Sequence, residues 1–146
     1  IQHQLNVLDD APEMIAFCER MGLASINRGP LAMGLLTGKF SQGAKLPDND
    51  VRGARSPEWM KYFVHGKPNA DLARRLEGVR DVLTSEDRTL AQGSLAWIWA
   101  RSPITVPIPG FRTVAQVEDN CGALAKGPLT AQQMNQIAQV LGATTM

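Results

Sequence analysis

Apolar and polar residues alternate over the first eight positions of the chain, as expected for a β-strand whose two sides differ. One side carries Ile1, His3, Leu5 and Val7, and the other side carries Gln2, Gln4 and Asn6. A polar side is usual on an exposed edge strand, whereas in a barrel such a side can face a ligand. Two further segments, 23–26 and 104–108, predict short strands, and the β-branched Ile104, Val106 and Ile108 are expected to be the buried residues of the last one.

Five segments with an apolar period of about 3.6 residues predict helices. Their predicted starts lie at Pro12, Asn69, Leu90, Thr113 and Thr130, and Gly22 and Pro103 mark two of the ends. The apolar side of the first helix is assigned to Ile15, Cys18 and Met21, and that of the fourth to Val114, Val117, Cys121 and Leu124. The order βα, βα(α), βα, α predicts parallel α/β architecture with right-handed crossovers.

Two segments lack a regular period. Residues 27–40 contain three glycines, one proline and several aliphatic residues, which predict a compact apolar loop, and a buried hairpin-like connection is the alternative. Residues 41–68 are rich in Gly, Pro, Asp and Asn, yet they carry Trp59, Tyr62 and Phe63. A long loop with its own aromatic residues is more typical of a lid or binding loop than of a linker.

The segment 104–120 predicts a strand, a tight turn at Gly110 and a helix that begins near Thr113. Gly110 allows a sharp turn or the close approach of a ligand, and Thr113 with Gln116 fits a capping box. Arg112 then lies just ahead of a helix N-terminus, where free N–H groups and the helix dipole favour an anion. A guanidinium at this place suits a phosphate, although an ordinary strand–turn–helix with a solvated arginine fits the same residues.

With 146 residues, 44% of them hydrophobic and 20% charged, the chain is typical of one soluble globular domain. The net charge of +1 argues against nucleic acid or a membrane surface as the main partner. Cys18 and Cys121 are predicted to be reduced core thiols of a cytoplasmic protein, without a metal-binding spacing. Because the chain begins inside the first predicted strand and without a methionine, we expect it to be a fragment.

Three blocks of the sequence resemble the C-terminal part of the aldo-keto reductases, a family of (β/α)8 barrels that use NADPH. Gln-His-Gln-Leu-Asn at 2–6 is similar to the sixth barrel strand, and Arg-Gly-Pro-Leu-Ala-Met-Gly-Leu-Leu-Thr-Gly-Lys at 28–39 is similar to the loop after the seventh. Ile-Pro-Gly-Phe-Arg at 108–112, continuing through Asn120, is similar to the eighth strand and its helix. The resemblance implies that residues 1–146 are an α/β unit formed by about strands 6–8 with their helices. In such barrels phosphate sites commonly form from the loops after strands seven and eight.

The resemblance implies a role in NADP(H) binding for several residues. Gln2 would hydrogen-bond the nicotinamide amide, and Arg28 occupies the place of an aromatic residue that stacks on the nicotinamide in many relatives, a contact that a guanidinium can also make. The pyrophosphate would be contacted by Gly29, Pro30, Leu31, Met33 and Lys39, approached over Gly110 and clamped by Arg52. The adenosine end would be contacted by Arg112 at the 2′-phosphate and by Gln116, Asp119 and Asn120 around it. Capping alone is the alternative for Gln116, and a solvated helix position is the alternative for Asn120.

No residue of the chain matches the family's catalytic Asp, Tyr, Lys and His, which lie on earlier strands. Tyr62 and His65 belong to the lid-like loop and are therefore not the family's Tyr and His. The whole protein would transfer hydride from NADPH to a carbonyl substrate, and this chain alone is expected to be inactive. A cofactor-binding regulatory subunit with little turnover is the alternative, and an unrelated phosphate-binding α/β domain is a third possibility.

The three predicted strands are too few to close a barrel. Parallel strands without neighbours expose unpaired N–H and C=O groups, and their inner faces lack the opposite wall of the barrel. We therefore expect the chain to self-associate or to require the missing N-terminal half.

Overall fold

The computed structural model describes residues 1–40 and 46–143, except for the side chain of Ala143. The strands are β1 Gln2–Gln4, β2 Ser25–Arg28, β3 Phe63–Val64, β4 Lys67–Pro68 and β5 Thr105–Pro107. The helices are α1 Pro12–Met21, α2 Ala70–Leu83, α3 Leu90–Arg101, α4 Val114–Lys126 and α5 Ala131–Ala143, and a 3-10 segment spans Ala32–Thr37. Strands β1, β2 and β5 form a parallel sheet in that order, which confirms the predicted parallel α/β architecture.

The three-stranded sheet has one covered face and one open face. On the covered face Ser25 and Asn27 are fully buried, and the Thr105 hydroxyl donates to the carbonyl of Ile98 in α3 at 3.0 Å. On the open face the register aligns Gln2, Ile26 and Val106 across the three strands. Gln2, Arg28 and Val106 are exposed there, so no helix of the described residues covers this face.

The strands correct the sequence predictions in three places. Strand β1 ends at Gln4, because Asn6 and Asp9 turn the chain with reciprocal backbone hydrogen bonds of 3.1 and 2.9 Å. Strand β2 begins at Ser25 rather than at 23. In β5 the predicted burial is wrong, since Val106 and Ile108 are 47% and 45% exposed while Thr105 is covered. Thr105 can be buried because its hydroxyl donates hydrogen bonds to backbone carbonyls and therefore loses no partner when water is excluded.

The helix starts follow the predicted capping residues. Side-chain oxygens that accept from N–H groups of the first turn belong to Asn69, Thr89, Thr113 and Thr130. Only the cap at Thr89 was not predicted, and there Gln92 completes a reciprocal capping box. Each cap satisfies N–H groups that have no partner inside the helix, so local sequence alone defines these boundaries.

Two of the predicted apolar helix sides are wrong. In α1, Ile15 and Cys18 are buried as predicted, whereas Met21 is 59% exposed. In α4, Val114 and Leu124 are 73% and 67% exposed. The predicted core cysteine Cys121 is exposed on the same side of α4.

Helix α4 contacts α3 through its small residues instead of through its apolar stripe. Ala123 is fully buried, and a Cβ atom on Gly122 would lie 2.9 Å from Nε2 of Gln92. Gln92 in turn donates to the backbone and side chain of Asp119 at 3.1 and 3.0 Å. Close approach and hydrogen bonding therefore decide the orientation of α4, and the apolar stripe faces away from α3.

Helix α3 is the centre of the core, and its residues 90–98 are all buried. The end of α2 approaches it so closely that a Cβ atom on Gly93 would lie 1.8 Å from the carbonyl oxygen of Leu83. No helix in the described ranges is long and apolar enough to cross a lipid bilayer.

The predicted lid-like loop folds back onto the core where it is described. Tyr62 and Phe63 are buried, and the Phe63 ring meets Phe40 edge to face with 5.1 Å between ring centroids. Trp59 is 64% exposed and does not anchor the segment. Residues 41–45 of the loop lie outside the described residues, and the lid function of the loop stays a prediction.

Candidate functional site

The C-terminal ends of the three parallel strands meet at one edge of the sheet, and the loops that leave β2 and β5 start side by side there. The Ile108 N–H group donates to the Asn27 carbonyl at 3.1 Å, which joins the ends of β5 and β2. On β1 and β2, Nη1 of Arg28 donates to Oε1 of Gln4 at 2.7 Å. In α/β folds this edge is where ligands commonly bind.

The loop after β2 has an unusual backbone. Gly29 and Gly34 have positive φ angles of 63° and 96°, and so do Ala32 and Met33 at 49° and 55°. Left-handed φ angles are unfavourable for residues that carry a Cβ atom, and strained backbone of this kind is concentrated at functional sites. The predicted compact apolar loop is thus confirmed, and a strained 3-10 segment takes the place of the alternative hairpin-like connection.

The Arg52 side chain contacts the loop after β2 and fixes its position. Its guanidinium makes a bidentate pair with the Asp50 carboxylate, at 2.8 and 2.7 Å, and donates to the Met33 carbonyl at 3.0 Å. It also lies over the rings of Phe40 and Phe63, 5.0 and 5.6 Å from their centroids. Arg52 therefore braces the loop itself, and the predicted clamp on a phosphate stays a prediction.

The Asp50 carboxylate pairs with Arg52 and lies within the electrostatic reach of Arg112. Hydrogen bonds from Arg52 hold the pKa of Asp50 well below its usual range, and the positive charge of Arg112 lowers it further. The two arginines therefore share one electrostatic environment. Arg112 itself is exposed and has no ion pair among the residues that the structure describes.

The start of α4 carries two more predicted residues. The Thr113 hydroxyl accepts from the Gln116 N–H group, but the Gln116 side chain accepts from the N–H group of Arg112 at 2.6 Å and not from that of Thr113, so the predicted capping box is only half formed. Gly110 does not need a positive φ angle, and a Cβ atom on it would meet no described atom within 4 Å. The predicted tight turn that requires glycine is therefore wrong, and Gly110 instead leaves open space above the backbone.

Asp119 and Asn120, predicted to flank the adenosine, lie one to two turns further along α4. The Asp119 carboxylate accepts from the Thr89 hydroxyl at 3.0 Å and from Nε2 of Gln92 at 3.0 Å, so it ties α4 to the start of α3. Asn120 is half-buried. Their contact with a cofactor stays a prediction, as it does for Gln116.

The remaining predicted residues divide by exposure. Gln2 and Lys39 are exposed, and within the described ranges their side chains have no hydrogen bond or ion pair. Pro30 and Leu31 are buried and support the loop from below. Two cavities, one near Glu19 and Pro128 and one near Asp10 and Met134, are not lined by any of the predicted residues.

A polar cluster around Tyr62 was missed by the sequence prediction. Asn6, fully buried, donates to the Tyr62 hydroxyl at 2.8 Å and to the Gly29 carbonyl at 3.0 Å. Gln4 also donates to this hydroxyl, which in turn donates to the Asp9 carboxylate at 3.2 Å. The alternation of polar residues in the first strand could have indicated such a cluster, but not its partner 56 residues away.

Burial of the Tyr62 hydroxyl raises its pKa to about 12, because the charged phenolate loses solvation. The stability that this neutral hydroxyl contributes is therefore present below pH about 10, the ordinary tyrosine pKa, and is lost as the pH rises through the folded-state value. Since the chain has a single tyrosine, a spectrophotometric tyrosinate titration of residues 1–146 in a folded, self-associated form should have its midpoint well above the ordinary tyrosine value. A midpoint at the ordinary value would show that Tyr62 is not buried as described.

Comparison with known proteins assigns the chain to a family. The model of the aldo/keto reductase family matches residues 1–141. The chain belongs to the aldo/keto reductase family. This membership excludes the third possibility, an unrelated phosphate-binding domain.

Three curated relatives of this aldo/keto reductase family member differ in their named roles. The chain is 33% identical over 112 residues to a chloroplastic pyridoxal reductase of Arabidopsis thaliana. The aligned region covers 77% of this chain and 27% of that relative. The chain is 30% identical over 132 residues to the NADP(+) aldo-keto reductase yakc of Schizosaccharomyces pombe, with 86% and 37% covered. It is 29% identical over 130 residues to a probable voltage-gated potassium channel subunit beta of Arabidopsis thaliana, with 88% and 38% covered.

Solved structures agree with the fold. The glycerol dehydrogenase AKR11B4 from Gluconobacter oxydans superimposes with a TM-score of 0.78 at 18% identity, covering 99% of this chain and 42% of that protein. The chain therefore spans about two fifths or less of the length of the proteins it matches. The α/β fold is consistent with part of an aldo-keto reductase barrel.

Proposed function

We propose that this chain is the NADP(H)-binding part of an aldo-keto reductase that reduces a small carbonyl substrate to an alcohol in the cytoplasm. In this proposal β1, β2 and β5 are strands 6–8 of the (β/α)8 barrel, and the open face of the sheet lines its interior. The observation that carries the proposal is the meeting, at one sheet edge, of the strained loop after β2 with the exposed Arg112 ahead of α4. NADPH supplies the hydride in such enzymes, and the chain binds and orients it.

The phosphate end of the site fits an anionic ligand. Arg112 has no ion pair in the described part of the chain, and the free N–H groups at the start of α4 lie next to it. The open space above Gly110 leaves room for a ligand to approach the backbone. Arg52 already neutralises the nearby Asp50, which reduces its repulsion of a phosphate. We assign the 2′-phosphate to Arg112 and the pyrophosphate to Gly29, Pro30, Leu31, Met33 and Lys39.

The nicotinamide end would lie on the open face of the sheet. Gln2 is exposed on this face and is assigned to the nicotinamide amide, which needs both a donor and an acceptor. Gln2 pairs with Ile26 across the sheet, and Arg28 is exposed two residues further along β2. The Arg28 guanidinium is oriented by its hydrogen bond to Gln4. A planar guanidinium held in this way can stack on the nicotinamide ring.

Replacement of Arg112 tests this function. In the full-length protein, Arg112→Ala should weaken NADPH binding by about 1.5–3 kcal/mol, the range for a hydrogen bond with a charged group, and leave NADH binding nearly unchanged. The measurement is a fluorescence titration with each cofactor. Arg74→Ala is the matched control, because Arg74 is an exposed arginine on α2 that pairs with Asp71 and is not part of the site. Equal losses for NADPH and NADH would contradict the assignment of the 2′-phosphate.

A cofactor-binding regulatory subunit is the second candidate function. It is favoured by the similarity to a protein named as a probable potassium channel subunit beta. Both candidates bind NADP(H), so only turnover distinguishes them. Steady oxidation of NADPH by the full-length protein with a set of small aldehydes and ketones would support the reductase, and tight cofactor binding without turnover would support the regulatory subunit.

A further inference from the structure

The hydroxyl of Tyr62 uses every hydrogen-bonding position that it has. Asn6 and Gln4 donate to its oxygen, the first at 2.8 Å, and the hydroxyl donates to Oδ2 of Asp9 at 3.2 Å. A hydroxyl offers one donor and two acceptor positions, so this group is saturated. The side chain is only 4% exposed, which limits replacement of these partners by water.

Both amides that contact Tyr62 continue to the loop after β2. Asn6 also donates to the Gly29 carbonyl at 3.0 Å, and Oε1 of Gln4 accepts from Nη1 of Arg28 at 2.7 Å. The Gln4 amide lies so close to Gly29 that a Cβ atom there would be 3.0 Å from Nε2. Two short chains of hydrogen bonds therefore run from one hydroxyl of the lid-like loop to residues assigned to the cofactor.

We propose that Tyr62 is a positioning residue for the nicotinamide and pyrophosphate part of the cofactor site, acting through Gln4 on Arg28 and through Asn6 on Gly29. This inference rests on the proposed function, because it assigns Tyr62 a task only if Arg28 and Gly29 contact the cofactor. It does not give Tyr62 a proton-transfer role.

The direction of the hydrogen bonds explains how Tyr62 can position Arg28. The Asp9 carboxylate only accepts, so the Tyr62 hydroxyl donates its hydrogen bond to it, and the oxygen lone pairs are left to accept from the two amides. Lys61 pairs with the same carboxylate from the neighbouring position. Because Nε2 of Gln4 is held by Tyr62, Oε1 is the atom that faces Arg28. Without the hydroxyl the amide is free to turn, and its NH2 group would then meet a guanidinium that can only donate.

The asymmetry between the two ends of the cofactor gives the inference a specific test. In the full-length protein, Tyr62→Phe should weaken NADPH binding about fivefold, the effect expected for one hydrogen bond. Binding of adenosine 2′-monophosphate, which lacks both the nicotinamide and the pyrophosphate, should stay unchanged, because it uses only the Arg112 end of the site. Both constants can be measured by fluorescence titration and calorimetry. Trp59→Phe is the matched control, since it changes an exposed aromatic residue of the same loop.

A double-mutant cycle tests whether Tyr62 acts through Gln4. Gln4→Met keeps a side chain of similar length and removes the amide, so it should weaken NADPH binding by itself. If the coupling runs through this amide, Tyr62→Phe should lose most of its effect on NADPH affinity in the Gln4→Met background. Full additivity would overturn the link. Gln4→Met also keeps the inference testable if Tyr62→Phe does not fold, since unchanged NADPH affinity in that variant would overturn it.

The remaining outcomes separate this inference from the proposed function. Equal loss of NADPH and adenosine 2′-monophosphate affinity in Tyr62→Phe would indicate a general structural role and overturn the positioning role alone. Unchanged affinity for both, with a lower melting temperature, would do the same. Failure of the parent protein to bind NADPH would overturn the proposed function and this inference with it.

Discussion

Residues 1–146 alone are expected to show no carbonyl-dependent oxidation of NADPH. Hydride transfer to a carbonyl needs a proton donor at the oxygen that becomes a hydroxyl. The single tyrosine of the chain is not placed to supply this proton, because its side chain is buried and its hydroxyl already donates to Asp9. The resemblance to the family also assigns the acid–base residues to strands that these residues do not include.

The assay follows NADPH absorbance with several aldehydes and ketones, beside a heat-denatured sample and the full-length protein. The rate of NADPH oxidation by residues 1–146 should equal that of the denatured control, whereas the full-length protein should turn over. Oxidation by residues 1–146 above the denatured control would show that a proton donor within this chain was overlooked. His65, exposed in the same loop, would then be the first residue to replace.

The second large effect concerns assembly of the isolated chain, which we expect to self-associate or to be partly unfolded. Strands β1 and β5 each pair only with β2 among the described residues, so two sheet edges are open. The open face exposes Val106 and Ile108, and further large apolar side chains are exposed after β5 and on α4, namely Phe111, Val114 and Leu124. In a closed barrel the opposing strands would fill this interior.

The apolar surface decides the size of this effect. At about 25 cal/mol per Å², an exposed area of about 400 Å² corresponds to about 10 kcal/mol, which equals the whole stability of an ordinary domain. The partner that we propose is a second copy or the absent N-terminal half of the barrel. Light scattering over a range of concentrations, with thermal unfolding of each sample, measures the outcome. A stable monomer with one sharp cooperative melting transition would contradict the expectation.

Local signals in the sequence were sufficient for the helix starts. Asn69, Thr113 and Thr130 cap helices as predicted, because a cap depends only on residues within one turn. The strand order was also predictable, since alternating strands and helices allow few arrangements other than a parallel sheet. Burial could not be predicted in the same way, and Val106, Val114 and Cys121 proved to be exposed.

The sequence by itself determined the family and the parallel α/β class. It also determined that Arg28 ends a strand and that Arg112 precedes a helix, because motifs and caps are properties of neighbouring residues. Only the tertiary structure decided that Arg52 clamps the Met33 carbonyl and that Tyr62 joins Gln4 and Asn6. It also decided which side of α4 meets α3. These contacts join residues far apart in the chain, and their geometry depends on how closely backbones approach and on which buried polar groups find partners.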